Sequence, residues 1–276
     1  WCCVQKKADL VPPVLKLLWI LLGTGEVHRD QHIPLGVRSR LRLFAAQCIL
    51  KLATCDAYAS LILPRMGRLS YALQDECFQV RMHLLHDLLL YLMRDELPTE
   101  FHAAIFLVAF DPEDEPRVQV ASYTRRLQVL PPIVRHERLE RIIVRFLHLL
   151  AHHPDLNAES PQTLCSFARY LEFYLACVAC ETNIGVLARF SACVRTYIDL
   201  SPSEPSVENS RPLYAMAELA QFLIQRLADN HGWTIYPVDE EAPCPKDILR
   251  STGTIARSVL DLSLIHISEP TRPLYI

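Results

Sequence analysis

Glycine is scarce in this chain, with seven residues in 276 against nineteen prolines. Nucleotide folds need glycine where backbone must close on a phosphate. Neither G-x-G-x-x-G nor G-x-x-x-x-G-K-[ST] occurs, so those two modes of nucleotide binding are excluded. The G-x-S-x-G nucleophile turn and the H-E-x-x-H zinc motif are missing as well. No apolar run reaches the length of a membrane span, since Val14 to Leu22 is short and interrupted by Lys16. A secretory signal is also lacking. The net charge of −3 argues against a nucleic-acid footprint over the whole chain. These gaps predict a protein without catalytic residues, cofactor or membrane contact.

What is present is a folded composition, 51% hydrophobic and 21% charged. The first residue is Trp1 rather than Met, which suggests a piece of a longer polypeptide. The ten cysteines form no disulfide framework. Cys48, Cys77, Cys165, Cys177, Cys180 and Cys193 lie in apolar helical stretches, where a thiol acts as a small hydrophobe and suits a reducing compartment. Cys177 and Cys180 have metal-ligand spacing but no second pair, and no metal site is expected there.

The stretch from Asp75 to Met93 organises the rest. Asp75 reads as an N-cap, and Val80, Leu84, Leu88 and Tyr91 share a helical face flanked by Leu85, Leu89 and Leu92. Only Gln79, Arg81, His83 and His86 are left for water, so the helix needs neighbours on two sides. An apolar residue followed by Arg marks a recurring pattern. The third, fourth, seventh and tenth residues after Arg81 are Leu84, Leu85, Leu88 and Tyr91; after Arg42 they are Ala45, Ala46, Ile49 and Leu52; after Arg117 they are Val120, Ala121, Thr124 and Leu127. The markers are 39 and then 36 residues apart. That period belongs to stacked two-helix repeats and predicts an all-α, HEAT-type solenoid.

Further helices are expected at Val14 to Leu22, Arg38 to Ala53, Asp56 to Leu63, Pro98 to Phe110, Arg117 to Val129, Ile133 to His152, Ser160 to about Cys180, Asn183 to Leu200 and Pro212 to Ala228. No strand is predicted. Residues 11–232 read as the solenoid, 233–250 as an exposed linker, 1–10 as an unassigned flank and 251–276 as a tail that does not continue the pattern. SLIHISEPTRPLYI within that tail resembles read-through of sequencing-adapter sequence. His148, His152 and His153 have no acidic or cysteine partner at a recognisable offset, and are expected to face solvent at a helix end. Basic residues cluster at Arg38, Arg40, Arg42 and Lys51, and again at Arg117, Arg125, Arg126, Arg135, Arg138, Arg141 and Arg145. These read either as solvated faces or as a stripe for DNA or an acidic partner.

Six segments, in order, resemble a known family: VPPVLKLLWILLGTGE, RSRLRLFAAQCILKLA, LQDECFQVRMHLL, EFHAAIFLVAFDP, FLHLLAHHPDL and RPLYAMAELAQFLI. It is the family of sister-chromatid cohesion regulators named for precocious dissociation of sisters, and the similarity runs from about Val11 to Arg250. The resemblance implies a HEAT-repeat segment from the later part of a longer nuclear protein that acts on chromatin without catalysis. It further implies binding to the kleisin subunit of cohesin and cooperation with cohesin's releasing, acetylating and loading factors. In helical solenoids an extended partner segment usually lies along the second helix of each pair. That directs attention to Arg42, Lys51, Asp75, Glu76, Gln79, Arg81 and Arg117 as partner contacts, although Asp and Arg at such positions also bond between neighbouring repeats. The alternatives are a solenoid that binds DNA through the arginine stripe and a generic transport or scaffolding solenoid.

Overall fold

The computed structural model describes residues 11–26 and 33–260. The flank at 1–10, with Cys2 and Cys3, part of the first connector and the tail from 261 lie outside the described residues. The chain is all-α and of the HEAT-repeat type. It divides into two compact units, residues 1–101 and 102–276.

In the first unit, α1 (Val11–Thr24) packs against α2 (Leu35–Ala53), and α2 packs against α5 (Phe78–Met93). Two short helices, α3 (Asp56–Ile62) and α4 (Met66–Ser70), join them. The apolar period dictates which faces meet. Ala45, Ala46 and Ile49 of α2 and Val80, Leu84, Leu85, Leu88 and Leu92 of α5 are buried, while Gln79, His83 and His86 stay exposed. Two details depart from the sequence reading. Helix α5 begins at Phe78 with Cys77 at the cap position, because Asp75 spends its side chain on the turn before the helix: its Oδ1 accepts the Cys77 N–H at 2.8 Å. Arg81 is buried rather than solvent-facing, since its guanidinium turns back toward that same turn.

The apolar segment Thr99–Phe110 forms twelve residues of 3-10 helix, unusually long for that geometry, with residues 101–109 all buried. Its Phe106 sits edge-on to Tyr174 at 4.9 Å and lies 5.7 Å from Phe146, at the centre of the second unit's core. Around it stand α6 (Asp114–Gln128), α8 (Ile143–Ala151), α9 (Pro161–Val178), α10 (Ile184–Cys193) and α11 (Arg211–His231). The start signal at 160–161 holds: Ser160 accepts the Thr163 N–H and Pro161 opens α9.

The long helix expected from Ile133 to His152 is broken. A short α7 (Pro132–Arg135) runs into a π turn, His136–Glu140, before α8 begins. The π turn brings His136 Nδ1 within 2.5 Å of Glu140 Oε2 and lets the Arg141 N–H reach the His136 carbonyl five residues back. Buried Glu140 also accepts from Asn183 Nδ2 at 3.0 Å, so the extra residue serves a polar contact that a regular helix would misplace.

Two short strands correct the expectation of none. Helix α10 ends at Cys193, not Leu200, and β1 (Tyr197–Asp199) pairs antiparallel with β2 (Leu249–Ser251). The linker reading of 233–250 leaves out the contacts this strap makes. Gly232 closes α11 at φ 68°, and Trp233 N–H bonds back to Ala228 O at 2.9 Å. The strap then passes so close to α10 that a Cβ at Gly185 would lie 2.5 Å from the Tyr236 carbonyl oxygen. Ala242, Ile248 and Leu249 are buried. Past residue 250, where the tail was read to begin, the chain remains attached. Thr252 N–H bonds Thr196 O at 2.8 Å, and buried Glu218 accepts the N–H groups of Val259 and Leu260 at 3.0 and 2.8 Å. Backbone pairing and isolated anchors leave no hydrophobic period to read.

Candidate partner-binding site

Of the seven residues singled out for partner contact, four bond within the fold: Arg42, Asp75 and Arg81 in the first unit and Arg117 in the second. The Arg42 guanidinium grips Asp75 at two points, Nε to Oδ2 at 2.6 Å and Nη2 to Oδ1 at 2.9 Å, and Nη2 also donates to Glu76 Oε1 at 3.1 Å. The hydrogen bond to Asp75 pushes the Arg42 pKa up, against the opposing effect of burial. From α5, Arg81 Nη1 donates to the Asp75 carbonyl at 2.9 Å, and its plane lies over Phe78. Asp75 therefore ties its own turn, the following helix and α2 together. It is a knot of the repeat rather than a free ligand.

The remaining residues of this unit face outward. Lys51, Glu76 and Gln79 are exposed. Glu76 keeps three quarters of its side chain in water even while it meets Arg42, at 75% exposure. Lys51 lies over the Tyr91 ring, 5.4 Å from its centroid, so an aromatic face steadies its charge. They offer one cation, one anion and one amide, a mixed set suited to a polypeptide.

In the second unit, Arg117 repeats the Arg81 arrangement. Its Nη1 donates to the Asp111 carbonyl six residues back and its Nη2 to Asp114, while Asp111 Oδ1 accepts the Glu113 N–H at 3.0 Å. An Asp followed six residues later by Arg thus recurs in two of the three copies, at Asp75–Arg81 and at Asp111–Arg117, while the Arg42 copy has Gly36 in that place. The apolar-Arg marker caught only its second half.

The arginine stripe is divided by the fold. Arg125 and Arg126 are exposed at the end of α6. Arg135 lies 3.5 Å from Glu140, and Arg141 meets both Glu137 and Glu240 at 3.4 Å. Arg145 is buried and held at two points by Asp247, at 2.8 and 2.7 Å. Arg138 is half-buried in the π turn. Asp247, which balances Arg145, and Glu240, the second acid at Arg141, lie 102 and 99 residues later on the strap, where charge patterning in sequence cannot see them.

The histidine cluster is likewise not the solvent-facing group expected. His148 and His153 are buried, and only His152 is open to water. The acidic partner is Asp199 on β1, 47 residues beyond His152, with its Oδ2 2.6 Å from His152 Nε2 and its Oδ1 3.3 Å from His148 Nε2. Burial pushes the Asp199 carboxyl up, but the hydrogen bonds from both imidazoles outweigh it and hold the carboxyl well below its ordinary range. Burial lowers the His148 pKa, so that ring stays neutral near pH 7.

The family model "Sister chromatid cohesion protein PDS5 protein" matches residues 2–250. The chain belongs to the PDS5 family. The match starts nine residues before the resemblance read from Val11 and ends with it at 250. Among curated PDS5 proteins, the chain is 27% identical to that of Schizosaccharomyces pombe, over 88% of the chain and 20% of the relative. It is 32% identical to PDS5 homolog A of Gallus gallus, over 93% and 20%, and 24% identical to PDS5 of Saccharomyces cerevisiae, over 89% and 22%. The chain thus spans about a fifth of the length of these PDS5 relatives. Among the described residues, no helix is long and apolar enough to cross a membrane.

Proposed function

We propose that this chain is a non-enzymatic binding segment of a nuclear regulator of sister-chromatid cohesion. It engages cohesin through the kleisin subunit and thereby helps control the complex's stable association with chromatin and its release. Cohesin's releasing, acetylating and loading factors are the further partners this reading implies. The observation that carries it is the PDS5 family match over residues 2–250. In this reading the exposed Lys51, Glu76 and Gln79 make the contacts, and Arg42, Asp75 and Arg81, bonded within the fold, hold the repeat that presents them.

A DNA-binding reading keeps Arg125 and Arg126 as its exposed cations. Neutralised phosphates release counterions, so DNA affinity carried by an arginine stripe falls steeply as salt rises. The pairing of Arg135, Arg141 and Arg145 with acids argues for a shallow slope. The test is recovery of partners from nuclear extract by the folded chain, with and without nuclease. Cohesin subunits retained after nuclease treatment support the proposal. A folded chain that captures only nuclease-sensitive material supports the DNA reading instead.

A further inference from the structure

Two imidazoles one turn apart, His148 on α8 and His152 at its C-cap, and a carboxylate from β1 converge on a small volume. The three nearest donor atoms of His148, His152 and Asp199 all lie within 4.8 Å of one another. Both histidines turn Nε2 toward the carboxylate, and their ring centroids are 4.5 Å apart. Four-coordinate zinc with bonds of about 2.0–2.1 Å sets its ligand atoms roughly 3.3 Å apart. The His148 Nε2 to Oδ1 distance of 3.3 Å already matches that spacing, whereas the His152 Nε2 to Oδ2 distance of 2.6 Å must open to admit an ion.

We propose that His148, His152 and Asp199 form a divalent transition-metal site, with Zn2+ the ion its donor set favours. Two neutral imidazoles and one carboxylate are the donors of three-ligand zinc sites, in which solvent fills the fourth position. Here His152 is the ligand open to water, and Ser201 Oγ lies 3.0 Å from His148 Nε2, within reach of a bound water. Asp199 is oriented in advance by its surroundings: its Oδ1 accepts the Ser201 N–H at 2.8 Å, and its own N–H donates to Ser210 Oγ at 3.0 Å. Such outer contacts hold a ligand in its coordinating rotamer.

The neighbouring charges are compatible with a cation. Arg145, one turn before His148, is matched at two points by Asp247. His153 is not a ligand, because its Nδ1 accepts the Asp155 N–H and its ring packs on Phe167. Binding needs no redox partner: Nε2 of each ring gives its lone pair to the ion while the ring proton resides on Nδ1. The ion would fasten the end of α8 to the end of β1, where Asp199 pairs with Leu249 of the strap.

The test uses Co2+ as a spectroscopic stand-in for Zn2+ on the chelator-stripped chain. The proposal expects visible d–d bands that saturate at one equivalent, lack sulfur-to-cobalt charge transfer, and vanish when Zn2+ is added. His152→Ala, at the open position, should keep the fold by circular dichroism and weaken Co2+ affinity at least tenfold. Asp199→Asn should do the same, and His153→Ala should leave affinity unchanged. Failure to bind Co2+, thiolate charge-transfer bands, or equal affinity in His152→Ala would each overturn the site. A melting temperature that rises with Zn2+ in the parent chain but not in His152→Ala is the second expected readout.

Discussion

Arg42 and Asp75, 33 residues apart in sequence, are joined at two points with their side chains only 12% and 7% exposed. Removing one partner strands the other charge where little water can reach it, which costs about 3 kcal/mol. Arg42→Ala and Asp75→Ala should each destabilise by about that amount in urea unfolding. The double variant should lose clearly less than the sum of the two, because the pair acts as one unit. Additive losses would show that the contact contributes little.

Gly185 is required by the strap above it, not by its own backbone. Gly185→Ala places a methyl against the Tyr236 carbonyl oxygen and should destabilise by about 1–3 kcal/mol, as overpacked sites do. Proteolysis should quicken within 233–260 while helices α8 to α11 stay protected. Cleavage at the parent rate would mean that the strap already lifts freely.

Asp247 meets Arg145, a guanidinium with 3% of its side chain exposed. Asp247→Ala should cost roughly 3 kcal/mol by leaving that charge unpaired. Asp247→Ala combined with Arg145→Met should recover much of the loss, since an apolar side chain of similar reach needs no partner. A single variant as stable as the parent would indicate that water already solvates Arg145.

Cys177 is buried on α9, and burial pushes its thiol from an ordinary 9.0 up to about 11. The folded state therefore favours the protonated thiol. Its contribution to stability is full below pH 9 and is lost as pH climbs toward 11. Stability measured across that window should fall less steeply in Cys177→Ala than in the parent. Alkylation at pH 8, followed by mass spectrometry, should label Cys177 only on unfolding. An identical pH slope in both proteins would contradict the assignment.

The helical class, the repeat spacing and most helix faces were legible because they rest on local periodicity. Ala45, Ala46, Ile49, Val80, Leu84 and Leu88 are buried where a 3.6-residue period puts them. The candidate contacts were legible only as a mixture. Sequence marks Arg42, Asp75 and Glu76 alike, but it cannot tell a side chain that bonds within the repeat from one left for a partner. Pairings over long separations were hidden altogether, as with Asp199 and its two histidines or Asp247 and Arg145. The strap was hidden for a different reason. It is held by backbone hydrogen bonds and by a few isolated buried residues, such as Ile248 and Leu249, which make no pattern.

Kleisin binding through the exposed Lys51, Glu76 and Gln79, on a repeat held by Arg42 and Asp75, is the proposal most open to direct test. The most direct measurement titrates a fluorescent kleisin segment with the parent chain and with Lys51→Glu combined with Gln79→Glu, while melting temperatures are followed in parallel. Affinity should be at least tenfold weaker in the double variant with the melting temperature unchanged. Parent-level binding by that variant, or a loss that merely tracks a lowered melting temperature, would contradict it.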